Sequence, residues 1–230
     1  MITLLTYPAA FGEFSISPFC TKAAWLLNAS GLRWVREDTL DPRKMPHGKL
    51  PAVRIADRII ADSETIRAHL ETEGASFDAE LSELDRANAR AFTRMADEHL
   101  YFHLLQDRWS NDAVWSRIRD TFFGELPRPL RGLVSGMVRR EVLKGLKAQG
   151  TGRFSEAERM ARIEQDLGAI AARLWQGSFL FGSKPCSADA SVAAMLSGMR
   201  ATPEATALQR RISGDMQLCA YIDRTAAAFA

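Results

Sequence analysis

The order of apolar and polar positions predicts alternating strands and helices in the first part of the chain. Residues 2–7 are a short apolar run typical of a strand. Ser17 is a helix N-cap candidate with Pro18 at the favoured first position, and Gly31 is a good stop signal for that helix. Further strands are predicted at 33–37, 51–55 and 58–60, and a further helix at 63–71. The predicted order is therefore β-α-β, then a β-hairpin, then α.

The chain from residue 82 onward has the pattern of a helical protein. Ser82 with Asp85, and Ser155 with Glu158, have the spacing of a capping box, in which side chains satisfy backbone N–H groups at a helix start. Residues 124–129 are a cluster of helix breakers between two of these helices. We therefore expect the second part of the chain to be all-helical.

These two patterns predict two domains of different class. The first is an α/β domain of residues 1–75, and the second is an all-helical domain of residues 80–230. Residues 75–79 are the expected linker between them, because neither pattern continues through this segment.

Composition narrows the class of protein further. The chain has 230 residues, 47% hydrophobic and 25% charged, which is ordinary for a soluble protein with one or two cores. A net charge of +2 gives no electrostatic indication of nucleic-acid binding. We expect no membrane insertion, because no apolar run approaches ~20 residues and the start of the chain lacks a basic leader. Three widely spaced cysteines favour a reducing cytoplasm over a disulfide framework.

A short motif at the first predicted helix indicates the chemistry. Residues 17–20 read Ser-Pro-Phe-Cys, and Leu50-Pro51 follows about thirty residues later. This arrangement resembles the glutathione-binding half of a thioredoxin-like fold in which serine replaces the redox cysteine. At that position a helix N-terminus lowers the pKa of an attacking thiol. A serine hydroxyl cannot form a disulfide, but it can donate a hydrogen bond to the thiolate of bound glutathione.

A wider resemblance covers nearly the whole chain. The motif, the segments 49–53 and 61–66, and the helical segments 97–102 and 181–190 together resemble the glutathione transferase superfamily. The closer resemblance is to its failed-axon-connections and metaxin-like branch. The resemblance implies a thioredoxin-like N-terminal domain, an α-helical C-terminal domain, a homodimer, and glutathione as substrate without a metal.

Ser17 is the candidate catalytic residue under this resemblance. Its hydroxyl is expected at the N-terminus of the first helix, where free N–H groups and the helix dipole stabilise a thiolate. The alternative is that Ser17 only caps the helix. Ser15 and Tyr7 are competitors, and Tyr7 is the second choice because it ends the first strand, where some transferase classes carry a catalytic tyrosine.

The resemblance also implies a set of residues that bind glutathione. Leu50 would pair through its backbone with the cysteinyl residue of glutathione, and the sequence leaves the isomer of the next peptide bond open. The alternative is an ordinary proline that opens an edge strand. A helix N-terminus with a hydroxyl suits the γ-glutamyl carboxylate, although the same residues can merely cap a helix. Lys49 would reach the glycyl carboxylate or remain solvated. The implied glutathione-binding residues are Phe19, Lys49, Leu50, Pro51, Asp62 and Ser63.

The electrophile is expected to bind against aromatic side chains. The candidate second-substrate pocket consists of Tyr7, Tyr101, Phe102 and Trp109. At helical spacing such aromatic residues are otherwise part of a core. The pattern does not identify the electrophile, since apolar pockets leave little trace in a sequence.

Four further positions have two interpretations each. Cys20 either forms mixed disulfides with glutathione or is a small buried apolar residue. His99 and His103 have the i, i+4 spacing of a metal-binding pair, but no third ligand is evident and no metal is expected. Cys186 stands at the cap position of a box completed by Asp189; either sulfur weakens that box or the next residue becomes the cap.

A basic stretch at 128–147 alternates cations with apolar residues. It is interpreted either as an amphipathic helix for a partner or membrane surface, or as a solvated face over a core stripe.

The sequence as a whole therefore predicts a cytoplasmic glutathione transferase-like enzyme with a detoxification type of reaction. The thiolate of glutathione would attack a small apolar electrophile. The alternative is a non-catalytic interaction protein of the same fold. Glutathione-dependent thiol transfer is disfavoured by serine in the attacking position.

Overall fold

The computed structural model describes residues 1–124 and 126–230. The first part of the chain contains β1 (Ile2–Thr6), α1 (Pro18–Ala29), β2 (Trp34–Asp38), β3 (Ala52–Ile55), β4 (Arg58–Ala61) and α2 (Ser63–Thr72). The second part contains α3 (Glu83–Met95), a π-helical turn (Ala96–Leu100), α4 (Tyr101–Ser110), α5 (Asp112–Phe123), α6 (Arg128–Gln149), α7 (Glu156–Leu174), α8 (Ser187–Arg200), α9 (Ala207–Ser213) and α10 (Met216–Ala228).

The strands form one mixed sheet in the order β2-β1-β3-β4. β1 and β2 run parallel, because α1 crosses over between them, whereas β3 is antiparallel to both β1 and β4. Helix α1 begins after Ser17, and the chain leaves it through Gly31 at a φ of 71°, a conformation that glycine adopts without strain. The predicted thioredoxin-like α/β fold followed by helices is confirmed.

Helix α8 lies at the centre of the helical part. Its residues from Ser187 to Met199 are all buried, and it packs against α1, α3 and α10. Leu4 of the sheet, Leu26 of α1 and Leu196 of α8 belong to one continuous hydrophobic core. Because this core spans both parts of the chain, the sheet and the helices hold each other in a fixed arrangement.

The predicted capping signals are present at two helix starts. Ser155 and Glu158 form a complete capping box at α7, and the Ser82 hydroxyl accepts a hydrogen bond of 3.1 Å from the Asp85 N–H at α3. The first four residues of the predicted breaker cluster lie between α5 and α6, and residue 125 among them is outside the described residues. Helix α6 already begins at Arg128, so the last two residues of the cluster belong to its first turn.

The basic stretch forms most of α6. Val142 and Leu143 pack against a small aromatic core, and Leu146 is buried. Leu133 and Met137 are more than half exposed, so the outer face of the first turns is apolar. In the part of the chain that the structure describes, no helix is both long and apolar enough to cross a membrane.

Candidate functional site

A cavity of about 380 Å³ lies between the sheet domain and the first helices of the second part. The N-terminus of α1, the loop before β3, the N-terminus of α2 and the π-helical turn all open onto it. The structure brings nearly all the predicted site residues together here. They are Tyr7, Ser17, Phe19, Lys49, Leu50, Pro51, Asp62, Ser63, Tyr101 and Phe102.

Ser17 stands at the N-cap of α1 and lines the cavity. Its side chain makes no capping hydrogen bond to the helix, so the simple capping interpretation does not describe its hydroxyl. The competing Ser15 is buried, and its hydroxyl donates a 2.9 Å hydrogen bond to the Tyr7 carbonyl. Of these two hydroxyls, that of Ser17 is therefore the one available to a ligand sulfur at the positive end of the helix dipole.

Cys20 points away from the cavity into the core of the first domain. Its side chain is fully buried beside Leu5 and Ala52. Burial raises the pKa of the Cys20 thiol, although nearby hydroxyls act to lower it. A protonated and enclosed thiol is a poor nucleophile, so the geometry favours the apolar interpretation of Cys20.

The loop before β3 presents free backbone groups to the cavity. The Leu50–Pro51 peptide bond is cis. Within the described residues, neither the N–H nor the carbonyl oxygen of Leu50 has a backbone partner. Lys49 beside it is exposed and forms no ion pair with any described residue. This stretch can therefore pair with an extended peptide and hold a carboxylate.

The N-terminus of α2 is the second candidate anchor. Asp62 has a φ of 79°, and its carboxylate accepts hydrogen bonds from the N–H groups of Glu64 and Thr65 at 2.9 and 3.0 Å. Asp62 thus caps the helix, which is the alternative role that the sequence left open for this residue. Ser63 is buried and lines the cavity, and neither its N–H nor its hydroxyl has a partner among the residues described. These two donors suit a carboxylate.

Two tyrosines complete the cavity wall. The ring of Tyr101 packs 4.7 Å from that of Phe19, centroid to centroid, and 5.3 Å from that of Phe102. Burial raises the pKa of Tyr7 well above its ordinary value, with a smaller contribution from Cys20. Burial raises the pKa of Tyr101 to about 12. Both phenols are therefore neutral hydrogen-bond donors at physiological pH.

Trp109 does not line this cavity. Its ring packs 5.0 Å from that of Trp115 and 6.3 Å from that of Phe122, in a separate aromatic cluster under α6. The prediction that Trp109 lines the second-substrate pocket does not agree with the structure. Trp109 lies on the face of α4 that packs against α5, so its side chain belongs to the core between these two helices. Helical spacing alone did not show which aromatic residues would meet α5.

A buried charge network under the cavity was missed by the sequence analysis. The Lys22 ammonium is fully buried and lies 2.9 Å from a Glu64 oxygen and 2.8 Å from an Asp97 oxygen. Burial acts to raise the pKa of Glu64, but Lys22 and two arginines hold it below its ordinary value. Burial raises the pKa of Asp97 in spite of Lys22. No local pattern distinguishes Lys22 from an ordinary exposed helical lysine.

The histidine pair faces α7, away from the cavity. His99 Nδ1 contacts the Asp166 carboxylate, and His103 Nε2 lies 3.3 Å from His99 Nε2. Burial lowers the pKa of His103 to about 4. Among the described residues, no group of three or more histidine, cysteine or acidic side chains is arranged to hold a metal ion.

Sequence comparison assigns both parts of the chain to one protein family. Residues 18–114 match the sequence profile described as the glutathione S-transferase N-terminal domain, and residues 163–225 match the glutathione S-transferase C-terminal domain. The chain therefore belongs to the glutathione S-transferase family.

Of two relatives of the chain, one is named as a glutathione transferase and the other as a metaxin. The chain is 32% identical over 232 aligned positions to isoprene-epoxide–glutathione S-transferase of Rhodococcus sp. strain AD45, with 97% of each chain covered. It is 29% identical to metaxin-1 of Mus musculus over 80% of this chain but only 61% of that protein. The glutathione transferase GSTFuA3 of Phanerochaete chrysosporium has the same fold, with a TM-score of 0.69, 19% identity, and coverage of 100% and 97% of the two chains.

Proposed function

We propose that this protein transfers glutathione to a small apolar electrophile. The observation that carries the proposal is that three sets of free polar groups open onto one cavity. Ser17 lines the cavity without capping α1. The unpaired backbone groups of Leu50 and the two hydrogen-bond donors of Ser63 open onto the same cavity. These groups match the thiol, the peptide backbone and the γ-glutamyl carboxylate of one glutathione molecule. Lys49 is the proposed partner of the glycyl carboxylate, and Asp62 and Pro51 shape the two anchors.

The reaction follows from the placement of the sulfur. A thiolate at the N-terminus of α1 receives the Ser17 hydrogen bond and the favourable helix dipole, so its pKa falls. It then forms a carbon–sulfur bond to the electrophile while the leaving group departs with the electron pair of the broken bond. Two bound reactants in one cavity also avoid the entropy cost of a bimolecular encounter.

We propose epoxides as the electrophile class. Tyr101, Phe102 and Phe19 give the helical side of the cavity an aromatic wall suited to a small apolar molecule. The 32% identical relative carries an isoprene epoxide in its name, which supports the same class of electrophile here.

The second candidate is a non-catalytic interaction protein, favoured by the similarity to metaxin-1.

Three further proposals hold under either function. The two domains divide at residues 75–80, and the protein is a homodimer. Its location is the cytoplasm, where the three free cysteines stay reduced. Two chains of 25.6 kDa would give a particle of about 51 kDa in light scattering after size exclusion.

Calorimetric titration of the purified protein with reduced glutathione tests the proposal. We expect about one site per chain, a weaker affinity in Ser63→Ala, and product formation when a generic aryl halide or epoxide is added. Ser155→Ala is the matched control, since Ser155 also begins a helix but lies outside the cavity. Silence up to millimolar glutathione would contradict the transferase and support the interaction protein.

A further inference from the structure

Arg108 on α4 is a buried cation that forms no ion pair with any described residue. Its guanidinium donates hydrogen bonds of 2.9 Å to the Ile16 carbonyl and 2.6 Å to the Gly198 carbonyl. Its Nε is buried and has no hydrogen-bond partner among the residues that the structure describes. Buried charges in proteins are normally paired with an opposite charge. The position of this guanidinium therefore indicates that its charge acts on something other than a fixed carboxylate.

The guanidinium lies beside the start of α1. Ile16, whose carbonyl it binds, is the residue directly before Ser17, the N-cap of α1. Its second partner, Gly198, is also close to this helix end, because a β-carbon at that glycine would lie 3.7 Å from an Arg108 nitrogen and 3.7 Å from the Pro18 side chain. Arg108 therefore places a full positive charge next to the helix end that carries Ser17.

Two carboxylates near Arg108 are bound to other groups. Glu13 accepts a 2.7 Å hydrogen bond from the Ser197 hydroxyl, and Asp107 accepts one of 2.7 Å from the Thr206 hydroxyl. Burial lowers the pKa of Arg108 to about 10, while these two carboxylates act to raise it. The guanidinium is therefore charged at neutral pH.

The charge of Arg108 acts on the cavity wall. Burial raises the pKa of Tyr101 to about 12, and Arg108 acts in the opposite direction because a positive charge favours the phenolate. Tyr101 and Ser17 line the same cavity. A thiolate held at Ser17 would be attracted by the same cation.

We propose that Arg108 is a positioning residue that stabilises the thiolate of bound glutathione without touching it. It holds the Ile16 carbonyl and so orients the start of α1, and its charge adds to the positive end of the helix dipole. The thiol releases its proton to water, and Arg108 keeps all of its own protons. This inference rests on the proposed function and assigns to it a residue outside the cavity lining.

The alternative role of Arg108 is purely structural. Gly198 lies in the last turns of α8, where a cation offsets the negative end of that helix dipole. A structural role predicts that substitution changes the stability of the fold and leaves the ionisation of bound glutathione unchanged.

The thiolate absorbance of the protein–glutathione complex, followed as pH rises, separates the two roles. Arg108→Gln keeps an amide donor but removes the charge, and we expect the midpoint to rise by about 1 pH unit. Arg108→Lys keeps the charge, so its midpoint should stay within about half a unit of the wild type.

Arg139→Gln is the matched control. Arg139 also donates to two backbone carbonyls, those of Trp109 and Ser110, at 2.8 and 3.2 Å, but it does not contact the start of α1. Its removal should leave the midpoint unchanged. An unchanged midpoint in Arg108→Gln, or equal rises in Arg108→Gln and Arg139→Gln, would overturn the proposal.

Calorimetry supplies a second readout. S-methylglutathione has the backbone and carboxylates of glutathione but no ionisable thiol. At about pH 8 we expect Arg108→Gln to bind reduced glutathione up to about tenfold more weakly than the wild type does, and S-methylglutathione equally well. Equal losses for both ligands in a variant that circular dichroism shows to be folded would refute the role of the charge.

Two further outcomes are also decisive. If Arg108→Gln does not fold, Arg108→Lys carries the test, and a rise of a full unit in its midpoint refutes the proposal. Failure of the wild type to bind glutathione would instead reject the transferase function, and this inference with it.

Discussion

At the scale of single residues, function depends on which polar groups remain unpaired after folding. Ser15 and Ser17 are two positions apart, yet the first is bound to the Tyr7 carbonyl and the second leaves its hydroxyl at the cavity. Both are serines before a helix in the sequence, and only the packing of the loop separates a hydroxyl that is bound within the protein from one that faces the cavity. This difference makes Ser17 the better candidate for holding a thiolate.

Ser17→Ala should raise the pKa of the bound glutathione thiol. A hydrogen bond to a charged group contributes about 1.5–3 kcal/mol, which corresponds to an increase of about 1 to 2 pKa units. The thiolate absorbance of the complex, followed as pH rises, measures this change. A midpoint that does not move in Ser17→Ala but rises in Tyr7→Phe would reassign the role to Tyr7.

At the scale of elements, the start of α8 shows how a helix cap is shared between distant segments. Cys186 is the N-cap, and its N–H donates a 2.9 Å hydrogen bond to the Asp189 carboxylate. The cap has not shifted to Ser187, whose N–H and hydroxyl instead donate to Asp78 at 2.9 and 2.7 Å. Asp78 lies in the predicted linker, so this segment helps to satisfy the first turn of the central helix.

Cys186→Ser should stabilise the protein, because a hydroxyl accepts the Asp189 N–H better than sulfur does. We expect a gain in the free energy of unfolding of about 1 kcal/mol, equivalent to a rise in Tm of about 2–4 °C. Cys219→Ser is the control, since that cysteine lies outside any cap and is only partly buried. A lower Tm for Cys186→Ser, measured by scanning calorimetry, would show that burial of sulfur outweighs the cap.

At the scale of the whole molecule, Lys22 joins the two parts of the chain. It lies on α1 of the sheet domain, and its carboxylate partners are Glu64 at the start of α2 and Asp97 in the π-helical turn of the second part. All three side chains lie under the cavity, and both acidic residues line it. These two contacts therefore hold α1 and the start of α2 against the π-helical turn of the second part.

Lys22→Met should strongly destabilise the fold. Removing one partner of a buried ion pair leaves an uncompensated charge and costs about 3–5 kcal/mol. Burial already raises the pKa of Asp97, and the variant should raise it further, so the loss should be smaller at acidic pH, where this carboxyl becomes neutral. Urea denaturation at two pH values measures both effects.

A second substitution supplies the control for Lys22. Asp97→Asn removes the unpaired charge, so the double variant should recover part of the stability lost in Lys22→Met. Arg43→Met breaks an exposed pair with Asp41 and should leave the urea midpoint unchanged. Equal stability losses at both pH values, without recovery in the double variant, would show that Lys22 acts by packing alone.

The sequence by itself determined most of the elements, and it named most of the residues that line the cavity. Pro18 and Gly31 limit α1, and the box of Ser155 and Glu158 starts α7, because such signals act within a few residues and do not depend on the rest of the fold. The family resemblance added the loops that meet at the cavity. These loops carry Ser17, Leu50 and Ser63.

Only the tertiary structure decided which side chains meet there. Lys22 and Asp97 are 75 residues apart, and no local pattern relates them. Trp109 and Tyr101 both lie on α4, yet the packing of α5 buries the first and leaves the second in the cavity wall. A side chain's partners are set by elements distant in sequence, so the burial, the pairing and the free hydroxyls of this site follow from packing rather than from pattern.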